Sequence, residues 1–299
     1  MRYLGEIFAL ITALGWALSS LFFEQASKKA DSISVNVIRL VMGIIFLGIF
    51  TCIDRGVILP VDATSYNWKI LGISGLIGLF FGDMFLYEAY VMIGARICMS
   101  FMTMTPLVVG IFGYLFLGEA LTLIQIVAML ITCSGVLLVV IKPKNKNDEK
   151  KLSSKGILFI CIATILEATG IVFTKMGSMG YDPSSSTQIR MICALGVFII
   201  FLTYKRLWKK VFNVLRDRKV ILLIIGGTIT ATAGITFLVA ALNLGNAGII
   251  STISSTSPIL IIPISYLIFK EKIKIKEIIG AFYLFLCHSL FFHYRNSFS

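Results

Sequence analysis

The sequence predicts an all-α membrane protein with ten transmembrane helices, arranged as two inverted five-helix repeats around a central cavity. Three observations support this fold class. The 299-residue chain is 58% hydrophobic and only 14% charged, whereas a soluble domain carries about 25% charged residues. Its apolar runs are long enough to cross a bilayer and are separated by mostly short connections. The two halves of the chain also resemble each other in order, which is typical of an internal repeat.

Ten apolar runs follow one another along the chain. A helix of about 20 residues spans the roughly 30 Å hydrocarbon core of a bilayer. The first run contains Glu6 and Trp16 and lacks an obvious small-x-small cleavage site, so we interpret it as a retained helix and not as a signal peptide. The ten predicted helices span residues 4–23, 34–53, 69–91, 96–117, 121–141, 156–174, 185–204, 219–241, 247–269 and 275–293.

A polar, basic linker, KPKNKNDEKKLSSK at 142–155, divides the chain into a first repeat, 1–141, and a second repeat, 156–299. The segment that starts at Gly94 aligns without gaps with the segment that starts at Asn246, and nearer the N-terminus the alignment shifts by one residue. The aligned pairs are Gly5 with Gly156, Arg39 with Arg190, Thr105 with Ser257, Pro106 with Pro258, and Glu119 with Glu271.

The basic residues predict the orientation of these helices. Repeats of five helices are inverted when they follow each other, because five is an odd number. Of the 27 Lys and Arg residues, 20 lie in connections after odd-numbered helices, five lie on the other side, and Arg39 and Arg190 lie within helices. Basic residues concentrate in cytoplasmic loops, so we predict a multi-pass protein of the cell (plasma or inner) membrane with both termini outside. This distribution accounts for the net charge of +12, and we expect no nucleic-acid partner.

A TP…GE…Q pattern occurs in the first half and is partly repeated in the second. Its residues are Thr105, Pro106, Gly118, Glu119 and Gln125, then Ser257, Pro258 and Glu271. With the paired arginines and the 5+5 layout, this pattern resembles the EamA-type permeases of the drug/metabolite transporter superfamily, over nearly the whole chain. The resemblance implies a ten-helix bundle around a central cavity that exports or imports small metabolites, including amino acids. The chain departs from the pattern at Lys270, where the second repeat lacks the glycine.

The sixth predicted helix carries a second resemblance. LEATGIVFTK has the spacing E-x-x-G-x-x-x-x-K at Glu167, Gly170 and Lys175, and is similar to the first helix of the small multidrug resistance proteins. In that family the glutamate binds protons and cationic substrates in alternation, and the resemblance implies the same role for Glu167. The equivalent position in the first repeat is Trp16, so only one half keeps the acid.

Glu167 also stands out from the residues alone, because it is the only charge between Lys155 and Lys175. A carboxylate near the middle of a membrane helix is costly, and it persists where it faces a cavity or a partner. We therefore predict that Glu167 couples transport to protons. The alternative is a structural role, as the partner of Arg190 or Lys175 or as a polar link between helices.

Two further groups are candidate substrate ligands. Asp83, Tyr87 and Tyr90 stand at i, i+4 and i+7 of the third helix, on one face, where an acid and two rings suit an amine or an aromatic substrate. The alternative is an Asp83 solvated near a helix end. Arg39, with Asn36 on its face, and Arg190 can each hold a carboxylate. The alternative is that the arginines anchor to headgroups or hold the bundle together.

Prolines and hydroxyls mark two possible breaks. Pro106 and Pro258 each remove a backbone donor and weaken the helix locally, so we predict hinges there; ordinary kinks are the alternative. Ser251 and Ser255 share a face with Pro258, and broken helices near a cavity are where transporters bind ligands. We add both serines and Trp16 to the predicted substrate-binding set.

Together these features predict a secondary active transporter, not an enzyme, that moves a small metabolite such as an amino acid or an organic amine. Alternating access would be driven by protons, and export follows from the resemblance alone. The alternatives are an uncoupled facilitator or exchanger, and a scaffold subunit that does not transport. We expect no cofactor and no metal site. The expected partners are the substrate, protons and the lipid bilayer, and a monomer suffices.

Overall fold

The computed structural model describes residues 3–120, 123, 126–127, 130, 153–257, 259–261 and 264. Helices are the regular secondary structure of these residues, and no strand occurs among them. Nine helices have both ends among these residues. They are α1 (Leu4–Lys29), α2 (Ser32–Arg55), α3 (Ser65–Ile93), α4 (Ala95–Leu117), α5 (Ser154–Ser178), α6 (Pro183–Lys205), α7 (Trp208–Arg216), α8 (Arg218–Leu244) and α9 (Ala247–Ser254).

Seven of these helices, α1 to α6 and α8, are long and apolar enough to cross a membrane. They have 23 to 29 residues and mean hydropathies of 1.7 to 2.3, and about 20 apolar residues suffice for a crossing. The chain is therefore a multi-pass membrane protein. Most of 121–141, most of the linker and all of 275–293 lie outside the described residues, as does Pro258. The count of ten helices accordingly stays a prediction.

The helices extend beyond their predicted ends, because polar residues continue or cap them outside the apolar runs. α2 and α6 each begin two residues earlier than predicted. The Asp31 side chain accepts a hydrogen bond from the backbone N–H of Ser34 at 3.0 Å, and Asp182 accepts one from Ser185 at 2.7 Å. Such caps satisfy donors that a helix start leaves free. The two caps are 151 residues apart, which is also the spacing of the aligned arginines.

Other parts of the chain also differ from the prediction. α1 continues to Lys29 instead of ending at 23, with an ion pair of 2.5 Å between Glu24 and Lys28 one turn apart. α5 begins at Ser154, so the last two residues of the predicted linker are helical. The connection 205–218 contains α7, a short helix that the sequence did not predict; it packs against α2 and α8.

The main helix pairings cross between the two halves: α1 packs along α8, and α5 packs along α3. Glycines permit close approach in both pairs. A Cβ atom at Gly15 would stand 3.0 Å from the Cα of Gly234, and one at Gly170 would stand 3.2 Å from the Cα of Gly78. Small residues at such interfaces let membrane helices gain van der Waals contact. By the internal alignment α5 corresponds to α1 and α8 to α3, so the two pairings are equivalent.

One turn of α3 is wider than an α-helix. Residues Gly75–Gly82 form a π-helical segment, a rare conformation that is frequent at functional sites. A Cβ at Gly75 would stand only 2.2 Å from the carbonyl oxygen of Arg190, and a Cβ at Gly82 would stand 3.1 Å from Oε1 of Glu167. This segment therefore places the α3 backbone directly against α5 and α6.

The connections that follow α2 and α5 meet at one end of the bundle. Arg55 forms ion pairs with Asp62 at 2.5 Å and with Asp182 at 3.6 Å, and also donates a hydrogen bond to Ser185. The Tyr181 hydroxyl donates to the other oxygen of Asp62 at 2.9 Å. The hydrogen bonds from Arg55 and then Tyr181 hold the pKa of Asp62 below its ordinary value. This cluster joins the two halves of the chain.

Gly75→Ala should destabilise the fold, because its Cβ meets the backbone of α6 and not a flexible side chain. We expect the free energy of unfolding to fall by about 1–3 kcal/mol, which is typical of overpacking. Thermal unfolding of the detergent-solubilised protein measures it. The matched control is Gly196→Ala, since a Cβ at Gly196 meets nothing within 4 Å. Removal of a glycine from a helix interior should leave stability unchanged or raise it by about 0.5–1 kcal/mol. Equal stability of the two variants would contradict the close packing of α3 on α6.

Candidate functional site

A cavity lies between the helices of both halves, with an empty volume of about 840 Å³ that includes its open mouth. Each of α1 to α6, α8 and α9 contributes side chains to its wall. Eight of the predicted site residues line this cavity: Trp16, Arg39, Asp83, Tyr87, Tyr90, Glu167, Arg190 and Ser255.

Two residues of the predicted substrate-binding set lie outside the cavity wall. Asn36 is fully buried, and its side-chain amide donates to the backbone oxygen of Asp83 at 3.3 Å. It supports α3 and does not face the cavity. Ser251 is also buried and is not part of the cavity wall, although the backbone N–H of Ser255 still donates to the backbone oxygen of Ser251 at 2.9 Å, one helical turn away.

The first hinge candidate, Pro106, stands at a break in α4. A short 3₁₀ turn, Met102–Met104, precedes it, and an α-helical segment restarts at Thr105. A proline is tolerated at the start of a helix because its missing N–H would have no helical partner there. The neighbouring Thr105 hydroxyl is buried without a hydrogen-bond partner among the described residues, and it lines the cavity.

Arg39 and Asp83 form a buried ion pair between α2 and α3. Their side chains are 3% and 7% exposed, so Asp83 is not solvated at a helix end. The Arg39 guanidinium also lies 5.7 Å from the ring centre of Phe23 and 5.6 Å from that of Tyr87, distances at which cation–π attraction contributes. The charges of Arg39 and Asp83 are thus largely committed to each other.

Three aromatic rings continue this wall. The Tyr87 ring stacks on Phe23 with centres 5.1 Å apart and on Tyr90 with centres 5.6 Å apart. The Tyr90 hydroxyl points to the sulfur of Met99 at 3.5 Å. The side of the cavity beside the ion pair is therefore a flat aromatic surface, suited to an apolar or aromatic part of a ligand.

Glu167 and Arg190 stand on the other side, from α5 and α6. A Cβ at Gly78 would stand 3.5 Å from Nη2 of Arg190 and 3.7 Å from Oε2 of Glu167, so both groups lie beside the π-helical segment of α3. Neither forms a hydrogen bond or an ion pair with another described residue, although their opposite charges interact at longer range. Arg190 is 3% exposed and its Nε is unsatisfied. A carboxyl and a guanidinium thus remain available to a ligand.

Lys175, the last residue of the second motif, takes no part in this arrangement. It is 7% exposed and forms an ion pair with Glu119, and it donates to the backbone oxygen of Gly245 at 2.5 Å. Glu119 in turn accepts the backbone N–H of Ala247 at 2.8 Å. These bonds tie the end of α5 to α4 and to the start of α9. Lys175 is therefore not the structural partner of Glu167.

Cavity residues recur at the two spacings that aligned the halves. A spacing of 151 relates Trp16 to Glu167 and Arg39 to Arg190; a spacing of 152 relates Leu79 to Ala231, Asp83 to Ile235, Leu86 to Leu238, Met102 to Ser254 and Thr105 to Ser257. Contacts recur as well. A Cβ at Gly234 would stand 3.4 Å from the Trp16 ring, and a Cβ at Gly82 would stand 3.1 Å from Oε1 of Glu167. Trp16 thus occupies in one half the place of Glu167 in the other.

Some cavity residues were not predicted from the sequence. Phe23 stands seven residues after Trp16, on the same face of α1, and that spacing was a usable signal. Ser254 and Ser257 belong to the same hydroxyl-rich run, 251–257, as the predicted Ser255, and that run was a usable signal. Met99 and Met102 carry no signal of this kind, since methionines are common in apolar helices.

Comparison with known proteins supports this layout. A stretch of 134 residues is 28% identical to the uncharacterized transporter YoaV of Bacillus subtilis (strain 168). It covers 44% of this chain and 45% of that protein, so the chain matches less than half of the relative's length. A solved structure, described as "Crystal structure of protein", has a TM-score of 0.73 to this chain at 13% identity and covers 100% of both chains. That likeness concerns the fold.

The sequence model of the EamA-like transporter family matches twice, over residues 3–141 and 154–292. The two matches together take in almost the whole chain, on both sides of the basic linker. The chain therefore belongs to the EamA-like transporter family.

Proposed function

We propose that this chain is a secondary active transporter that moves a small metabolite, such as an amino acid or an organic amine, by alternating access coupled to protons. The observation that carries the proposal is the setting of Glu167. Its half-buried carboxyl group lies on the cavity wall without a hydrogen bond or ion pair to another described residue. Ionisable groups inside membrane proteins typically mark proton and substrate pathways.

The two carboxyl groups of the cavity have different roles in this proposal. Asp83 is paired with Arg39, and a proton that displaced this pairing would leave a buried guanidinium without its partner. Glu167 has no such commitment among the described residues. It can therefore gain and lose a proton with little rearrangement of its surroundings.

The cavity is complementary to a small molecule that carries both charges. A protonated amine would bind Glu167, and a carboxylate would bind the Arg190 guanidinium. The aromatic wall of Tyr87 and Tyr90 would cover the apolar part of the same molecule. An organic amine without a carboxylate would use Glu167 and the rings alone.

Competition for one carboxylate supplies the coupling. A proton and a cationic group cannot occupy Glu167 together, so uptake of one from either side favours release of the other. The energy available equals the difference in affinity of the two conformations for each ligand. A single acid, with Trp16 at the equivalent place, suits exchange through one carboxyl group per cycle.

The architecture we propose has ten helices in two inverted repeats, 1–141 and 156–299, joined by the linker 142–155. Equivalent pairings of α1 with α8 and of α5 with α3 support it, because two alike but opposed halves can open to either side in turn. The break before Pro106 would absorb the backbone change in α4, as Pro258 would in the second half. We further propose that both termini lie outside and that transport runs outward.

Glu167→Gln should abolish substrate-driven proton movement, because a side-chain amide does not take up or release a net proton near neutral pH. Full-length protein in liposomes that contain a pH dye would be challenged with amino acids, organic amines, nucleosides and sugars. With the Glu167→Gln variant, proton flux should fall to that of protein-free liposomes. Glu88→Gln is the control, since Glu88 lies on α3 but not on the cavity wall, and it should keep the flux of the parent. Equal passage of labelled substrate through the parent and Glu167→Gln without proton flux would instead identify a facilitator or an exchanger.

Asp83→Asn and Arg39→Gln should each reduce the free energy of unfolding by about 3–5 kcal/mol, because each leaves one buried charge without its partner. The double variant should recover most of the loss, since two neutral amides can hydrogen-bond in its place. Thermal unfolding in detergent measures all three. Arg55→Gln, which breaks a more exposed pair, should cost about 0–1 kcal/mol. Strictly additive losses in the double variant would show that Arg39 and Asp83 do not stabilise each other.

A reporter fused to Ser299 tests the orientation, because the 20 basic residues after odd-numbered helices should face the cytoplasm. Alkaline phosphatase, active only outside, should be active in the fusion, and green fluorescent protein, fluorescent only inside, should be dark. The matched fusion after Lys205 should give the opposite pair of signals. A fluorescent, phosphatase-negative Ser299 fusion would overturn the proposed orientation.

A further inference from the structure

The surroundings of α7 carry the highest local charge among the connections that the structure describes. Seven basic residues lie between positions 205 and 219, and all seven are exposed. The one acid in that stretch, Asp217, is engaged as the cap of α8 and accepts the backbone N–H of Lys219 at 2.9 Å. We call these residues the α7 basic cluster: Lys205, Arg206, Lys209, Lys210, Arg216, Arg218 and Lys219.

α7 also exposes an apolar edge beside this charge. Val211 and Val214 are buried where α7 packs against α2 and α8. Phe212 and Leu215 are 57% and 48% exposed. The Trp208 ring lies 6.2 Å from the Phe212 ring, so Trp208, Phe212 and Leu215 form a continuous apolar edge. Since successive residues are about 100° apart around the helix axis, Lys209 and Arg216 lie directly beside this apolar edge.

The internal repeat provides a matched comparison for this connection. Its counterpart, residues 56–64 between α2 and α3, contains Asp62 and no Lys or Arg. Arg55, at the end of α2, is held there by Asp62 and Asp182. The fold therefore does not require basic residues at this position. The α7 basic cluster is a property of one face of the protein, which points to a ligand on that face.

We propose that α7 and the α7 basic cluster bind anionic phospholipid headgroups in the adjacent leaflet. Lys and Arg beside a bilayer are attracted to acidic lipids, and an amphipathic helix places its apolar edge at the boundary of headgroups and acyl chains. Tryptophan is enriched at that boundary. The apolar edge distinguishes a lipid from a dissolved anion, because only a lipid brings acyl chains to cover Phe212 and Leu215. This site is separate from the cavity and does not depend on the proposed cargo.

Fluorescence of Trp208 tests the proposal directly. The chain has three tryptophans, so Trp16→Phe/Trp68→Phe leaves Trp208 as the reporter in the full-length protein. This variant would be reconstituted in vesicles that contain phosphatidylglycerol or phosphatidylcholine, brominated near the headgroup end of the acyl chains and at equal mole fraction. We expect quenching by brominated phosphatidylglycerol to be at least about twofold greater. Sodium chloride at about 1 M should reduce that preference through screening, without any further substitution.

Two sets of variants separate the charge from the apolar edge. Lys209→Gln/Lys210→Gln/Arg216→Gln should remove the preference for phosphatidylglycerol. Lys142→Gln/Lys144→Gln/Lys146→Gln, with the same change of charge in the linker, should keep it. Phe212→Ser/Leu215→Ser should reduce quenching by both lipids, because the helix loses its apolar anchor. Size-exclusion chromatography would confirm that each variant is folded.

Three outcomes would overturn the proposal. Equal quenching by the two lipids would show contact with the bilayer without selection of acidic headgroups. An absence of quenching by either lipid would place Trp208 away from the interface. Loss of the preference on addition of millimolar inorganic phosphate would identify a site for soluble anions.

Discussion

The cost of an unpaired charge in a low-dielectric bundle is the constraint on which this structure depends. Two guanidinium groups and two carboxyl groups surround one cavity in a chain that is only 14% charged. Arg39 and Asp83 satisfy each other, and Asn36 holds the backbone of Asp83 in place. Glu167 and Arg190 are left to water or a ligand. The glycine-lined π-helical segment of α3 makes this division possible, because it lets α5 and α6 approach closely enough to present both side chains.

The two halves share a helical scaffold but differ in the side chains that they place at the cavity. Aspartate caps, arginines and glycine contacts recur 151 or 152 residues apart, so both halves build the same scaffold. At one cavity position the symmetry fails, because Trp16 stands where the second half has Glu167. The repeated scaffold therefore carries an acid at this position in one half only.

The two ends of the bundle are also chemically different. At one end Arg55 and Tyr181 hold Asp62, and the connections of both halves are bonded together. At the other end the α7 basic cluster exposes lysines and arginines beside exposed apolar side chains. The first arrangement binds the protein to itself, whereas the second leaves charge and apolar surface for the membrane. The asymmetry involves both side chains and backbone, since α7 has no helical counterpart in the connection 56–64.

The sequence by itself determined the class, the positions of the long helices and the charged residues of the cavity. Hydropathy and the 3.6-residue period act over short distances along the chain, and the repeat alignment added the equivalence of Arg39 with Arg190. Only the tertiary structure determined which charged side chains form ion pairs with each other. From the sequence, Asp83 could have been solvated or have bound a substrate, and Lys175 could have paired with Glu167. In the structure Asp83 forms an ion pair with Arg39, and Lys175 forms one with Glu119. These partners are 44 and 56 residues away, and no local pattern encodes a choice that depends on how close two helices can pack. The same reason explains why Asn36 bonds to the backbone of Asp83 and is not part of the cavity wall.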